Sequence, residues 1–243
     1  MKRFALIGKK LDYSFSKDFF NHYFLEKKLN CVYENIEINS ITEIATVLKS
    51  NKYTGFNVTI PYKEEIIPFL DELSLDAKLI GAVNTIYYKN KQIIGTNTDA
   101  FGFQQSIKPF LNNQHEKALI LGTGGASKAV EFVLKNIGID VLFISRNPKK
   151  SNQFSYLEIN EQMLKSFKLI INCTPIGTFP NINEMPIFPV QFLNSEHFVI
   201  DLIYNPSKTK FLLESEKYGA TTLNGLSMLQ EQALKSWEIW NSN

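Results

Sequence analysis

"ALILGTGGASKAVEFVLKNIGIDVLFISR", Ala118 to Arg146, is the stretch that decides the fold. Ala118 to Leu121 is an unbroken apolar run, which suits a strand buried on both faces. Gly122, Gly124 and Gly125 follow at once. Ala126 to Asn136 then carries apolar residues at helical spacing and is ended by Gly138. Val141 to Ile144 is a second buried strand. Strand, glycine-rich turn, helix and strand in that order form a parallel βαβ unit. Such a turn lets the backbone approach a phosphate, whose charge the N-terminal amides of the helix accept. Ser127 stands where the dinucleotide fingerprint has a third glycine or alanine, so the spacing alone also suits a plain tight turn.

The residues just beyond the second strand sharpen the reading. A unit built for NAD carries an acidic residue there for the ribose hydroxyl. This chain has "SRNPKK", with Ser145 and Arg146 and no carboxylate. A guanidinium takes a 2'-phosphate bidentately and stacks on an adenine face, and Lys150 adds charge. The stretch is either a solvated basic loop or an NADP site, and the sharper expectation is NADP.

Working outward, further strands are expected at Leu169 to Asn172, Phe198 to Asp201 and Thr221 to Leu223. The first hundred residues alternate in the same way. Phe4 to Ile7, Val32 to Ile38 and Phe56 to Ile60 read as strands, and Ser16 to Lys28, Ile41 to Ser50 and Glu64 to Leu70 as helices. A polar stretch, "NNQHEK", separates the two series, and the restart argues for two domains. Hinges are expected near Thr98 to Gly102 and near Asn224 to Gly225. The chain's 243 residues exceed the usual single-domain range of roughly 100 to 200.

Composition narrows the class. Apolar residues are 44% and charged residues 21%, ordinary for a globular protein. A net charge of +2 with scattered lysines gives no nucleic-acid footprint. No segment approaches a signal core or a membrane span. Cys31 and Cys173, the two cysteines, have no disulfide or metal spacing, so a reduced, cytoplasmic setting without a metal is expected. Oligomeric state is not legible.

The first half supplies clusters of hydroxyls, amides and acids at the ends of apolar runs: "YSFSK" (Tyr13 to Lys17), "GFNVTIPYK" (Gly55 to Lys63), "GAVNTI" (Gly81 to Ile86) and "GTNTDAFGF" (Gly95 to Phe103). In open α/β sheets the ligand crevice lies outside the carboxyl ends of strands, where these clusters fall. They suit a hydroxyl-rich ligand with a carboxylate. With "LGTGGASKAV", "INCTPIG" and "LNGLSMLQEQA" they run from Tyr13 to Ala233 in the order and style of the shikimate dehydrogenase family, which the chain resembles over nearly its whole length.

That resemblance implies an α/β protein of two domains: a mixed α/β substrate-binding catalytic domain (residues 1–99 plus 225–243) and a doubly wound, Rossmann-type NADP-binding domain (100–224). It implies interconversion of shikimate and 3-dehydroshikimate with NADP. By the likeness, Ser14 and Ser16 hold the substrate carboxylate and Thr59 assists, while Asn84 and Asp99 meet ring hydroxyls. Gln232, favoured over Gln230, and Tyr204 close the site. Gly122, Gly124, Gly125, Ala126, Ser145, Arg146, Lys150 and Thr174 hold the cofactor, with Gly225 under the nicotinamide.

The chemistry points the same way. Oxidising a secondary alcohol releases a hydride to the nicotinamide and a proton to a base. His22, His115 and His197 lie outside every motif. Lys63 and Asp99 remain as the titratable pair, Lys63 for proton transfer and Asp99 to orient it and the hydroxyl. Pro61 cannot continue a ladder, so it is expected to end the strand and aim the turn that carries Lys63.

The chain departs from the family pattern at three places. Lys17 stands at a common proline and Phe20 at a frequent histidine, and the short span between Arg146 and Leu169 implies a trimmed sheet edge. Rival readings are a quinate-using or dual-specificity dehydrogenase, a folate-type methylene dehydrogenase and a non-catalytic nucleotide sensor. The Ser14/Ser16 pair and "GTNTD" argue against the folate-type enzyme, and intact Lys63 and Asp99 against the sensor.

Overall fold

In a computed structural model, residues 1–12 and 14–242 are described, so Tyr13, which opens "YSFSK", lies outside the described residues. The chain divides into two compact units, Met1–Phe101 with Gln232–Asn243, and Gly102–Glu231. Residues 225–231, expected with the substrate domain, are grouped with the second unit.

In the first unit a six-stranded sheet comprises β1 (Lys2–Gly8), β2 (Cys31–Glu37), β3 (Gly55–Val58), β4 (Glu72–Leu73), β5 (Thr85–Lys89) and β6 (Gln92–Thr96). The spatial order is β2-β1-β3-β5-β6-β4. The β1–β2, β1–β3 and β4–β6 pairs are parallel, whereas β3–β5 and β5–β6 are antiparallel. Both faces of β1 are buried by its two-residue period. Ala5 and Ile7 pack into one cluster with Phe56, Val58, Ile44 and Leu48. Phe4 and Leu6 pack on the other side with Phe20, Phe24, Tyr33 and Trp240. Helices α1 (Phe15–Glu26), α2 (Ile44–Leu48) and α3 (Leu75–Ile80) complete this part of the unit.

Three expectations change here. Glu64 to Leu70 is not an α-helix but a series of turns with a 3-10 segment at Ile67–Phe69. Pro68 has no N–H to give, and the Lys63 carbonyl is taken by Val83 N at 2.7 Å instead of by a following helical amide. The strand read as Phe56 to Ile60 ends at Val58, ahead of Pro61. It ends because Thr59 turns back, its carbonyl accepting from Tyr62 N at 3.0 Å. The β5–β6 hairpin was not expected at all. Its turn residues Asn90 and Lys91 both have positive φ, as a two-residue type I′ turn requires.

The second unit begins within α4 (Asp99–Ile107) and holds β7 (Lys117–Leu121), α5 (Gly125–Asn136), β8 (Asp140–Ile144), β9 (Gln153–Phe154), α6 (Glu161–Ser166), β10 (Leu169–Asn172), β11 (Phe198–Asp201), α7 (Lys210–Lys217) and β12 (Thr221–Asn224). Helix α8 (Leu226–Asn241) starts here and ends in the first unit. The six strands are all parallel, in the order β12-β11-β10-β7-β8-β9. That is the doubly wound order, whose direction reverses between β7 and β10. The edge expected to be trimmed keeps its strand: residues 145–152 join β8 to β9 without a helix, and β9 survives as a two-residue strand. Among the described residues, no helix is long and apolar enough to cross a membrane.

Gly55 shows how tightly the first unit is packed. A Cβ there would overlap the indole of Trp240, which is itself tied to the sheet by Nε1 donating to Ile86 O at 3.0 Å. Gly55→Ala should therefore lower stability by about 1–3 kcal/mol, the usual cost of overpacking. A lower urea midpoint with an unchanged slope is the expected result.

Candidate active site

In the first unit the backbone around Lys63 is held before its side chain is considered. Its carbonyl is tied to Val83, the residue before Asn84, and Asn84 N donates to Thr96 O at 3.1 Å. The two segments "PYK" and "AVNT" are thus fastened to each other and to β6. Asp99 starts α4 directly after β6. Lys63 Nζ lies 2.6 Å from Asp99 Oδ2, and both side chains are largely shielded, at 16% and 9% exposure.

Asn84 fixes the other carboxylate oxygen. Its Oδ1 accepts from the Thr98 backbone amide at 2.7 Å, which orients the side-chain amide. Its Nδ2 then faces Asp99 Oδ1 at 2.8 Å and Gln232 Oε1 at 3.3 Å. Both oxygens of Asp99 are engaged, one by an ammonium and one by an amide. Charge-assisted bonds of this kind are stronger than neutral ones.

Gln232 is buried and Gln230 exposed, because two residues along a helix turn the side chain to the far face. Ser14 caps the N-terminus of α1, yet its hydroxyl makes no cap bond. Its Oγ is buried and finds no hydrogen-bond partner among the described residues. Burial pushes the Tyr33 phenol well above its ordinary pKa, and the nearby Ser16 hydroxyl offsets this in part. Thr59 is half-buried, its amide donating to Ile7 O at 2.9 Å. Lys17 is exposed, whereas Phe20 is fully buried and stacks on Tyr33 with ring centroids 4.6 Å apart.

The second unit carries the remaining candidates. Gly122 follows β7 with φ of +97°, a conformation other residues rarely adopt. Its neighbour across the switch point is Thr174, whose Cγ2 would lie 3.0 Å from a Cβ at Gly122. Space is open over Gly124 and Gly125, where a Cβ would meet nothing within 4 Å. Gly124 is the N-cap of α5 and supplies no side-chain cap, so the cap residue brings no side chain to compete for the first amides of this helix, including those of Gly125 and Ala126. Ser145, half-buried, follows β8, and Arg146 and Lys150 are exposed on the same connection. Tyr204 is half-buried after β11. Gly225 is buried with its backbone against the Leu202 carbonyl, where a Cβ would clash.

The histidines are elsewhere. His22 is exposed beside Glu26. His115 and His197 are buried in the second unit, and burial lowers the pKa of each.

Sequence reading passed over Tyr33, Thr85, Thr98 and Ser236, which form the buried bed beneath Asn57 and Asn84. Ser236 had a usable signal, lying four residues after Gln232 and so on the same helix face. It also passed over Asp201, which is fully buried at the end of β11. Asp201 Oδ1 accepts from Asn172 Nδ2 at 3.0 Å and Ile203 N at 3.1 Å, and Oδ2 accepts from Thr209 Oγ1 at 2.7 Å. Asn172 in turn holds Thr174 Oγ1 at 2.7 Å.

A doubly wound unit with a glycine turn at its switch point, on one chain with a mixed α/β unit carrying a shielded lysine–carboxylate pair, defines the class: a two-unit α/β oxidoreductase. The model of the shikimate dehydrogenase substrate binding domain matches residues 6–86. The shikimate dehydrogenase (NADP(+)) of Methanococcus maripaludis is 38% identical over 259 residues, covering 98% of this chain and 91% of the relative. This chain belongs to the shikimate dehydrogenase family. Solved structures agree. Shikimate dehydrogenase 1 from Peptoclostridium difficile is 38% identical with a TM-score of 0.87, covering 100% of this chain and 92% of that one. The shikimate 5-dehydrogenase from Thermus thermophilus, crystallised with NADP(H) and shikimate, is 29% identical with a TM-score of 0.88, covering 100% of this chain and 94% of that one.

Asp201 makes the second unit pH-sensitive. Burial raises its carboxyl from 3.8 to about 6, against the three donors that favour the ionised form. Between those values the native chain holds a proton that the unfolded chain has released. This contribution to stability is present in full below 3.8 and is lost as pH rises through about 6. Asp201→Asn should flatten that part of the stability–pH curve, as measured by urea unfolding across the window.

Proposed function

We propose that this chain catalyses the reversible, NADP-dependent oxidation of shikimate to 3-dehydroshikimate in the cytoplasm. The observation that carries the reading is the Lys63–Asp99 pair at 2.6 Å with Asn84 on the second carboxylate oxygen. The names of the relatives, and the Thermus structure with both ligands, support the substrate and cofactor.

Ser14 and Ser16 would hold the substrate carboxylate. In support, Ser14 Oγ is buried without a partner among the described residues, a state that a bound acceptor or donor relieves. Thr59 assists from the end of β3. Asn84, Asp99, Gln232 and Tyr204 orient the ring hydroxyls. Lys63 Nζ transfers the proton of the reacting hydroxyl, and Asp99 Oδ2 holds the ammonium in place between turnovers.

The second unit suits the cofactor. Open space over Gly124 and Gly125, at the N-terminus of a 12-residue helix, accepts a pyrophosphate, and Ala126 continues the row of amides. Arg146 and Lys150, with the Ser145 hydroxyl, meet a 2'-phosphate. Thr174 borders the same crevice at the switch point, and Gly225 offers a backbone without a side chain to the nicotinamide. NADP, when bound, supplies the hydride acceptor.

Two variants test the assignment. Lys63→Ala should lower kcat by ~10²- to 10⁴-fold, the usual loss for acid–base catalysis, with a much smaller change in KM. Near-normal turnover would remove Lys63 from the proton step. Arg146→Ala should raise KM for NADP far more than for NAD, and equal effects on the two would refute the 2'-phosphate role. Following NADPH absorbance with shikimate or quinate as substrate decides between the favoured reading and its quinate-using alternative, and absence of turnover on either would favour a sensor.

A further inference from the structure

We propose that Ser236 is a positioning residue for the substrate site: its hydroxyl seats the inner face of α8 so that the Gln232 amide is held beside Asn84 and Asp99. The inference rests on the reading above that Gln232 and Asn84 meet the substrate.

Ser236 follows Gln232 by one helical turn and is fully buried. Its Oγ bonds to the Gln232 carbonyl at 2.9 Å, and only its own proton can make that bond. With the proton committed, its two lone pairs can accept from any two of three groups within reach. These are Asn57 Nδ2 at 3.0 Å, Thr85 Oγ1 at 2.8 Å and Thr98 Oγ1 at 3.1 Å. Thr98 is the residue whose backbone amide orients Asn84. One hydroxyl therefore joins the helix that carries Gln232 to the strand ends that carry Asn57, Asn84 and Asp99.

The same network reaches the other end of the site. Asn57 Oδ1 accepts from the Tyr33 hydroxyl at 2.8 Å, and the Ser16 hydroxyl lies near that phenol. Hydrogen bonds thus run without a break from Tyr33, through Asn57, Ser236 and Thr98, to Asn84 and the Lys63–Asp99 pair. A buried network of this kind keeps its geometry only while every member is satisfied.

Docking of the helix does not depend on Ser236 alone. Trp240, one turn further on, is buried among Phe4, Phe20 and Tyr33 and donates to Ile86 O at 3.0 Å. Removing the Ser236 hydroxyl leaves α8 in place but frees Asn57, Thr85 and Thr98 to find other acceptors. The expected consequence is loss of registry at Gln232, not loss of the fold.

The test is a double-mutant cycle with shikimate and NADP. Ser236→Ala should raise KM for shikimate about tenfold, the equivalent of roughly one hydrogen bond, with KM for NADP unchanged and kcat within about twofold. In a Gln232→Ala background the same change should raise KM no further, since the group it positions is already gone. Equal factors in both backgrounds, or an unchanged KM in Ser236→Ala, would overturn the inference alone. A Gln232→Ala enzyme with the parent KM would overturn the reading of Gln232 and this inference with it. Should Ser236→Ala not fold, Ser236→Cys takes its place in the cycle and is judged by the same outcomes.

Discussion

The constraint on which the first unit's site depends is the orientation of one amide. Asn84 Oδ1 is claimed by the Thr98 backbone N–H, a donor that cannot rotate away, so Nδ2 has to face Asp99. That in turn leaves Asp99 Oδ2 to Lys63. Because the Lys63 carbonyl is bonded to Val83 N, the lysine backbone moves with the segment that carries Asn84. On the function proposed here, substrate hydroxyls would meet a constellation whose members are set relative to one another before binding, as efficient catalysis needs.

The second unit reaches the same end by backbone means. A parallel sheet whose order reverses between β7 and β10 leaves the loops after those two strands facing one another, and both are small: glycines after β7, Thr174 after β10. Asp201, Asn172 and Thr174 form a chain of hydrogen bonds beneath that crevice. A buried carboxylate with three donors costs desolvation but fixes where the ends of β10 and β11 lie. Neither unit relies on histidine, whose three copies are spent on an exposed helix face and on buried loop contacts.

Much of this was legible in the sequence, and the legible parts share a cause. Leu169–Asn172 and Phe198–Asp201 form strands over the ranges read, because a run that is apolar throughout and bounded by polar residues has few other places to go. The glycine turn was legible because residues other than glycine rarely take a φ like that found at Gly122. The segment from Glu64 to Leu70 was misread because a helical pattern of apolar residues says nothing of where the Lys63 carbonyl bonds. The hairpin of β5 and β6 was missed because Asn90-Lys91 is a weaker turn signal than Asn-Gly, although both residues adopt the same positive φ.

By itself the sequence determined the alternation of strands and helices, the phosphate-type turn, and the residue types available to the site, since each follows from local pattern and backbone sterics. The tertiary structure alone decided which side chains share a hydrogen bond. Lys63 and Asp99 are 36 positions apart, and Asn57 and Ser236 are 179 apart. Such pairs are made by strand order and helix docking, in which the free energy of burying the whole core, and not any local preference, selects the partner.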